Sequence, residues 1–197
     1  SDGEGTRAWR YGVGIDHKFS SSLFAGVEQS WRRLETPVQF FTGDGSVQTF
    51  HRREQFSRGY LYWTPLYWLS LGLEYQYERF TSEEDVFNLG GKTEIQTHRI
   101  PLSANVFLPW GFISRWKATY VDQHGDFSTT AGTIAPGSDR FWLLDGSVGY
   151  RLPRRLGIVS FEARNLLDKR FHFQDTDPVN PRIRPERLFL GRLILAY

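Results

Sequence analysis

The chain has 197 residues, 16% aromatic and 23% charged, with a formal net charge of +2, enough for one domain or a large piece of one. The nearly balanced charge argues against a nucleic-acid partner, and the absence of cysteine excludes a disulfide framework or a thiolate metal site. With a mean hydropathy of −0.45, no apolar run approaches the ~18–20 residues of a membrane helix.

A period of two recurs along the chain, whereas a helical period never lasts beyond a turn or two. Nine segments read as strands, at residues 7–19, 23–33, 53–64, 68–80, 92–108, 112–123, 141–152, 158–167 and 187–197. In the fourth, Leu69, Leu71, Leu73, Tyr75 and Tyr77 alternate with Ser70, Gly72, Glu74, Gln76 and Glu78. In the fifth, His98, Ile100, Leu102, Ala104 and Val106 oppose Arg99, Ser103 and Asn105. The sixth sets Phe112, Trp116, Ala118 and Tyr120 against Arg115 and Lys117, and the seventh sets Trp142, Leu144, Val148 and Tyr150 against Asp145, Ser147 and Arg151.

Connections alternate as well. Short ones fall at 20–22, 65–67, 109–111 and 153–157, and long polar ones at 35–52, 81–91, 124–140 and 168–186. Strands with one apolar and one charged face, joined by alternately tight and long connections, predict an all-β fold, an antiparallel transmembrane β-barrel of the bacterial outer membrane. Nine strands place the two chain ends on opposite sides of a membrane, whereas single-chain bacterial barrels have even strand counts. The expectation is that residues 1–197 form the C-terminal part of one larger barrel domain. Its remaining wall would come from preceding strands or a companion chain.

On the charged faces lie Glu74, Glu78, Arg99, Arg115, Lys117, Asp145, Arg151, Glu162 and Arg164, a lumen lining in this reading. They read either as a mutually neutralised wall or as a selectivity lining for an anionic or zwitterionic solute. Trp9, Trp31, Trp63, Trp68, Trp110, Trp142, Tyr150 and Tyr197, with Phe19, Tyr67 and Phe112, fall near predicted strand ends, where amphipathic rings suit a membrane–water interface. The loop aromatics Phe40, Phe41, Phe87 and Phe127 would suit carbohydrate stacking. The groups Glu83-Glu84-Asp85 and Asp175-Thr176-Asp177 lack calcium-loop spacing, and the histidines at 17, 51, 98, 124 and 172 lack paired metal spacing. No metal, no cofactor and no catalytic motif is read from the chain, so it is not expected to be an enzyme.

The segment Asn165-Leu166-Leu167-Asp168-Lys169-Arg170-Phe171, followed by a final alternating strand with Phe189, Leu193, Leu195 and Tyr197 on one side, resembles the end of TonB-dependent receptors. In that family the Asn-Leu pair turns the penultimate strand into the last extracellular loop. A terminal aromatic is what the barrel-insertion machinery reads. The resemblance extends to receptor-like barrels linked to periplasmic tetratricopeptide repeats, because the family's usual Pro-Gly-Arg before the last strand is missing from Pro181–Arg187. It implies a pore or receptor for solute passage, in contact with outer-membrane lipid. An exopolysaccharide-export porin and a structural or adhesive surface barrel are the alternatives. Neither a plug nor an energy-coupling box lies within these residues, so active uptake is not implied.

Overall fold

Alternation tells which residues share a face, but pairing decides how far each strand runs. A computed structural model of the chain describes residues 5–39, 47–82, 93–128, 134–171 and 186–195. It contains strands β1 (Arg7–Lys18), β2 (Leu23–Gln39), β3 (Val47–Leu66), β4 (Leu69–Ser82), β5 (Thr93–Phe107), β6 (Phe112–Ser128), β7 (Ile134–Arg151), β8 (Gly157–Arg164) and β9 (Leu188–Leu195). They form one open antiparallel sheet in sequence order. Among the described residues the remaining regular element is a 3₁₀ turn over Pro153–Arg155, and no helix is long and apolar enough to cross a membrane.

Each of the nine segments read from the sequence contains a strand, but four run further than alternation suggests. β2, β3, β6 and β7 span 17, 20, 17 and 18 residues, so much of 35–52 and 124–140 is paired sheet and not loop. Pro37 and Pro136, which lack a donor and argue against a ladder, nevertheless sit in register opposite Thr49 and Asp126. For the same reason Trp31 and Trp142 lie inside strands. The connections β1–β2, β3–β4, β5–β6 and β7–β8 are tight and share one end of the sheet, the turn end. The other four leave from the opposite, loop end. At Leu108-Pro109-Trp110-Gly111 the Gly111 N–H returns to the Leu108 carbonyl (3.0 Å), with Gly111 at φ 99, the left-handed conformation that closes such a turn without a Cβ clash.

Register fixes the faces of the whole sheet, because a slip of one residue would invert them. Ile15, Val27 and Gly59 stand in line, as do Trp63, Leu71, Ala104 and Trp116. One face of the turn-end half is therefore apolar and open: Val13 is 68% and Ile15 70% exposed. The opposite face of the same half carries the charges. Nearer the loop end the order reverses. Leu34, Phe50, Ile95, Val121 and Phe141 are buried on the side that carries the charges below, while Arg33, Arg53, Arg79, Asp122 and Arg140 stand on the apolar side.

With no second sheet or helix among the described residues, the two faces of a flat sheet would be equally exposed. On β4, however, Glu74 and Glu78 side chains are 18% and 16% exposed, against 46% for Leu73 and Tyr75, which flank Glu74. The sheet curves so that the charged face is concave and its side chains shield one another.

Beyond β8 the chain turns at Asn165, which is 2% exposed with φ 49. Its N–H donates to the Asp145 carboxylate (2.9 Å), its Nδ2 donates to the Lys169 carbonyl and its Oδ1 accepts from the Lys169 N–H, both at 3.0 Å. That clamp sends Phe171 back onto Phe141, the rings parallel at 4.3 Å. Asn165→Ala loses both side-chain bonds in a left-handed position and is expected to cost about 2 kcal/mol. Leu167→Ala, at an exposed site, should stay within about 0.5 kcal/mol. Urea titration of the folded chain measures both, and equal midpoints would refute the clamp.

Candidate functional site

Long side chains on the concave face reach diagonal neighbours across the ladders, about 7–8 Å away at the backbone. Arg58 on β3 does so toward Glu74 on β4, with Nε and Nη2 each 3.0 Å from a carboxylate oxygen, the two-pronged geometry that only a guanidinium offers. Glu74 also accepts from Tyr62 Oη (2.5 Å) and Gln76 Nε2 (2.8 Å). A second carboxylate, Glu28 on β2, stands 3.6 Å from Arg58. The Tyr60 ring lies 4.5 Å below that guanidinium, and its hydroxyl donates to Asp16 on β1. Arg32 pairs with Glu54 at 3.4 Å and Arg99 with Glu78 at 2.6 Å. The contacts around Arg58 tie β1 to β4, and the Arg32–Glu54 and Arg99–Glu78 pairs stand beside them as separate links, the second reaching β5.

The network borders an open cavity of about 430 Å³ lined by Arg10, Glu28, Arg32, Glu54, Arg58 and Glu78. A second groove of about 500 Å³ runs across β3 to β8, between Tyr62 and Glu74 on one side and Arg115, Lys117, Asp145 and Glu162 on the other. The electrostatics differ there. Arg115, Lys117 and Arg151 form no ion pair among the described residues, although Lys117 stands opposite Asp145 in register.

All nine lumen residues named from the sequence lie on this one face: Glu74, Glu78, Arg99, Arg115, Lys117, Asp145, Arg151, Glu162 and Arg164. Glu78 and Arg99 join each other, Glu162 joins Arg164 at 2.6 Å, and Arg151 lies near the turn end, lining neither cavity. Sequence reading passed over Arg58 and Tyr62, the centre of the network. Their strand mixes Phe56, Arg58, Tyr60 and Tyr62 on one face. The signal that exposes them is the register that sets Arg58 opposite Gln76 and Tyr60 opposite Glu74.

The named aromatics Trp9, Trp31, Trp63, Trp142 and Tyr150 stand on the convex face, with Trp68 and Trp110 in the tight turns. Tyr11 stacks on Trp31 at 5.5 Å and Tyr120 packs with Trp142 at 5.2 Å. His98 receives Tyr75 Oη at 2.8 Å and stacks with His124. Tyr197, His172, Phe40, Phe41, Phe87 and the two acidic groups at 83–85 and 175–177 lie outside the described residues, as does the side chain of Phe127. Among the described residues no group of three or more His, Asp or Glu could hold a metal ion.

Arg99 is 6% exposed at its side chain and Glu78 16%, so Arg99→Met strands a shielded carboxylate and is expected to cost about 3–5 kcal/mol. Adding Glu78→Gln should recover most of that loss. The same cycle on Arg79 and Glu94, 2.9 Å apart but 46% and 29% exposed, should give less than about 1 kcal/mol. Denaturant unfolding of the two cycles decides whether the concave network or the outer pairs hold the sheet. Comparison with known protein families, with curated proteins and with solved structures finds no match.

Proposed function

We propose that the nine strands are part of the wall of an outer-membrane β-barrel that passes or admits solutes along its charged concave face, like the barrels of TonB-dependent receptors. The observation that carries this reading is the reversal of polarity along single strands. In the turn-end half the chain is apolar outside and charged inside, the order required where lipid surrounds the wall and water fills it. In the loop-end half it is charged outside and apolar inside, the order required where the wall projects into water.

The edge of the apolar region supports the same reading. It is marked by Trp9 before Arg7, Trp31 before Arg33, Tyr77 before Arg79, Tyr120 before Asp122 and Trp142 before Arg140. Trp142 is in line with Tyr120 and Ile100. Leu73–Leu102 and Gln76–Arg99 bracket Ile100 level with Tyr75, which is in line with Gly59, Val27 and Ile15. From Trp9 to the level of Ile15 the edge shifts six residues over the six steps from β1 to β7. At about 3.3 Å per residue and about 4.8 Å per strand that slope is a strand tilt of about 35°, within the range for membrane barrels. The apolar stretch from Trp9 to Phe19, tilted so, is about 27 Å tall, close to the ~25 Å apolar band of such barrels.

β1 and β9 both run from the loop end to the turn end, so joining them would make a parallel seam. Antiparallel closure takes an odd number of further strands. Phe189, Leu193 and Leu195 on the outward side of β9 continue the apolar convex face of β8. Arg115, Lys117, Asp145 and Glu162 line the β5–β8 side of the lumen with charges of both signs, which suits a zwitterionic solute.

Leu71→Arg, on the convex face near the middle of the apolar region, should cost about 2–4 kcal/mol, while Ser70→Arg on the concave face should be mild. Folding into detergent micelles, followed as heat-modifiable gel migration, measures both. A chain that stays folded in buffer without detergent, with the two variants equally tolerated, would sink the membrane assignment.

A further inference from the structure

On the concave face, the groove across β3 to β8 is lined by five ionised side chains, Glu74, Arg115, Lys117, Asp145 and Glu162. Two of the three carboxylates are already engaged. Glu74 accepts from Arg58, Tyr62 and Gln76, and Glu162 is held by Arg164 at 2.6 Å. Lys117 and Asp145 stand directly opposite each other in register, one strand step of about 4.8 Å apart, where a cross-strand ion pair would ordinarily close. It does not close here. Lys117 and Arg115 form no ion pair among the described residues, and Asp145 turns one oxygen to the Asn165 N–H beyond the end of β8, at 2.9 Å.

The floor beside this open pair is kept low. Tyr62, Gly72, Ser103, Lys117 and Asp145 stand in one line across five strands. A Cβ added at Gly72 would fall 2.5 Å from Ser103 Oγ and 3.1 Å from the Tyr62 ring, so a larger residue there would fill the groove. Arg115 is the next concave position of β6, about 7 Å from Lys117 along the strand. Its guanidinium lies 5.9 Å from the centre of the Phe107 ring, a contact that leaves its charge unneutralised. Two cations on one strand and one carboxylate on the next thus face each other across the groove as opposite poles.

We propose that this groove binds a small α-amino acid, its carboxylate held by Lys117 and Arg115 and its ammonium group by Asp145. The site names the solute class of the proposed lumen, and it rests on that reading for its role in passage. The ammonium of Lys117 and the guanidinium of Arg115 donate to the ligand's carboxylate, and the Asp145 carboxylate accepts from its ammonium, each through a charge-assisted hydrogen bond. In an α-amino acid both charged groups hang from one carbon, which suits poles one strand step apart. A zwitterion with its charges at the two ends of a long chain does not suit them. A plain anion would use β6 alone and a plain amine Asp145 alone, so the arrangement favours a ligand that carries both.

The test is saturation-transfer NMR on the full-length chain folded in detergent micelles, with empty micelles as the blank. Four probes of equal carbon number are compared: L-norvaline, its isomer δ-aminovalerate, valerate and pentylamine. Wild type should bind L-norvaline about tenfold tighter than valerate or pentylamine, the scale of one charge-assisted hydrogen bond, and several-fold tighter than δ-aminovalerate. Asp145→Asn, which keeps an oxygen for the Asn165 N–H, should reduce L-norvaline to the level of valerate. Arg115→Gln/Lys117→Gln should reduce it to the level of pentylamine, and Arg151→Gln, a concave arginine outside the groove, should change nothing. Equal binding of L-norvaline and valerate by wild type overturns the proposal, leaving an anion site. Binding of δ-aminovalerate as tight as that of L-norvaline also overturns it, as does an equal loss on Arg151→Gln, the mark of the general charge of the face. If the chain folds in buffer without detergent and shows the L-norvaline preference there, the membrane reading falls and the site stands. If it needs detergent and shows no preference, the site alone falls.

Discussion

A strand gives each residue one of two sides, and an antiparallel register makes that choice for all its neighbours at once. Every other property of this sheet follows from that coupling. Among the described residues no second sheet and no helix covers either face, so the buried apolar cluster is confined to the loop end, where Phe171 packs on Val121, Phe141 and Leu143. Fully burying one large apolar side chain is worth about 1.5–3 kcal/mol. Val13, Ile15, Val27, Leu73, Trp116 and Val159, all on the convex face, forgo much of that in water. The concave charges pose the opposite problem. Removing Arg58, Glu74 and Arg99 from water would cost several kcal/mol per ion, and the paired geometry around Glu74, together with open cavities beside it, keeps that cost low.

The polarity reversal near the loop end is the part of the design that alternation alone conceals. Period two in 68–80 or 142–152 tells that two faces differ, and the order of aromatic and charged residues tells which is apolar. It does not tell that Leu34, Phe50, Ile95, Val121 and Phe141 form a buried interior on the side that carries charges lower down. Those segments hold Pro37, Pro136 and many polar residues, and such a composition ordinarily marks a loop. Strand existence was therefore legible and strand length was not. The same limit applies to the site. Nine charged residues could be assigned to one face from spacing alone. Which of them meet depends on register, as does the placing of Arg58 beside Glu74 and of Arg33 opposite Arg53, and register lies in the pairing between segments.

Asn165 shows where a local motif does carry its own structure. Its amide closes a small ring with Lys169, its backbone holds a left-handed conformation that Asn tolerates better than most residues, and Asp145 on the neighbouring strand receives its N–H. Residues 165–171 thus carry their own turn: the Asn supplies both the left-handed residue and the hydrogen bonds that close it. Its consequence is long-range, because the turn delivers Phe171 to the ring of Phe141 and extends the interior of the crown past the last residue of β8.

The two surfaces are separable because neighbours in sequence belong to opposite faces of the sheet. Arg58 is a hub of the concave network, while Gly59 floors an apolar groove on the convex side. Arg32 pairs with Glu54 inside, while Arg33 faces Arg53 outside. Each strand can change either surface through alternate residues, so long as side-chain volume is kept at the crowded positions. Gly146 is such a position, since any Cβ there would fall 2.7 Å from the Trp116 ring. Gly59, by contrast, has open space around it: an added Cβ would meet only Val27 Cγ1, at 3.8 Å, so the convex face can take a side chain there without disturbing the Arg58 contacts on the other face.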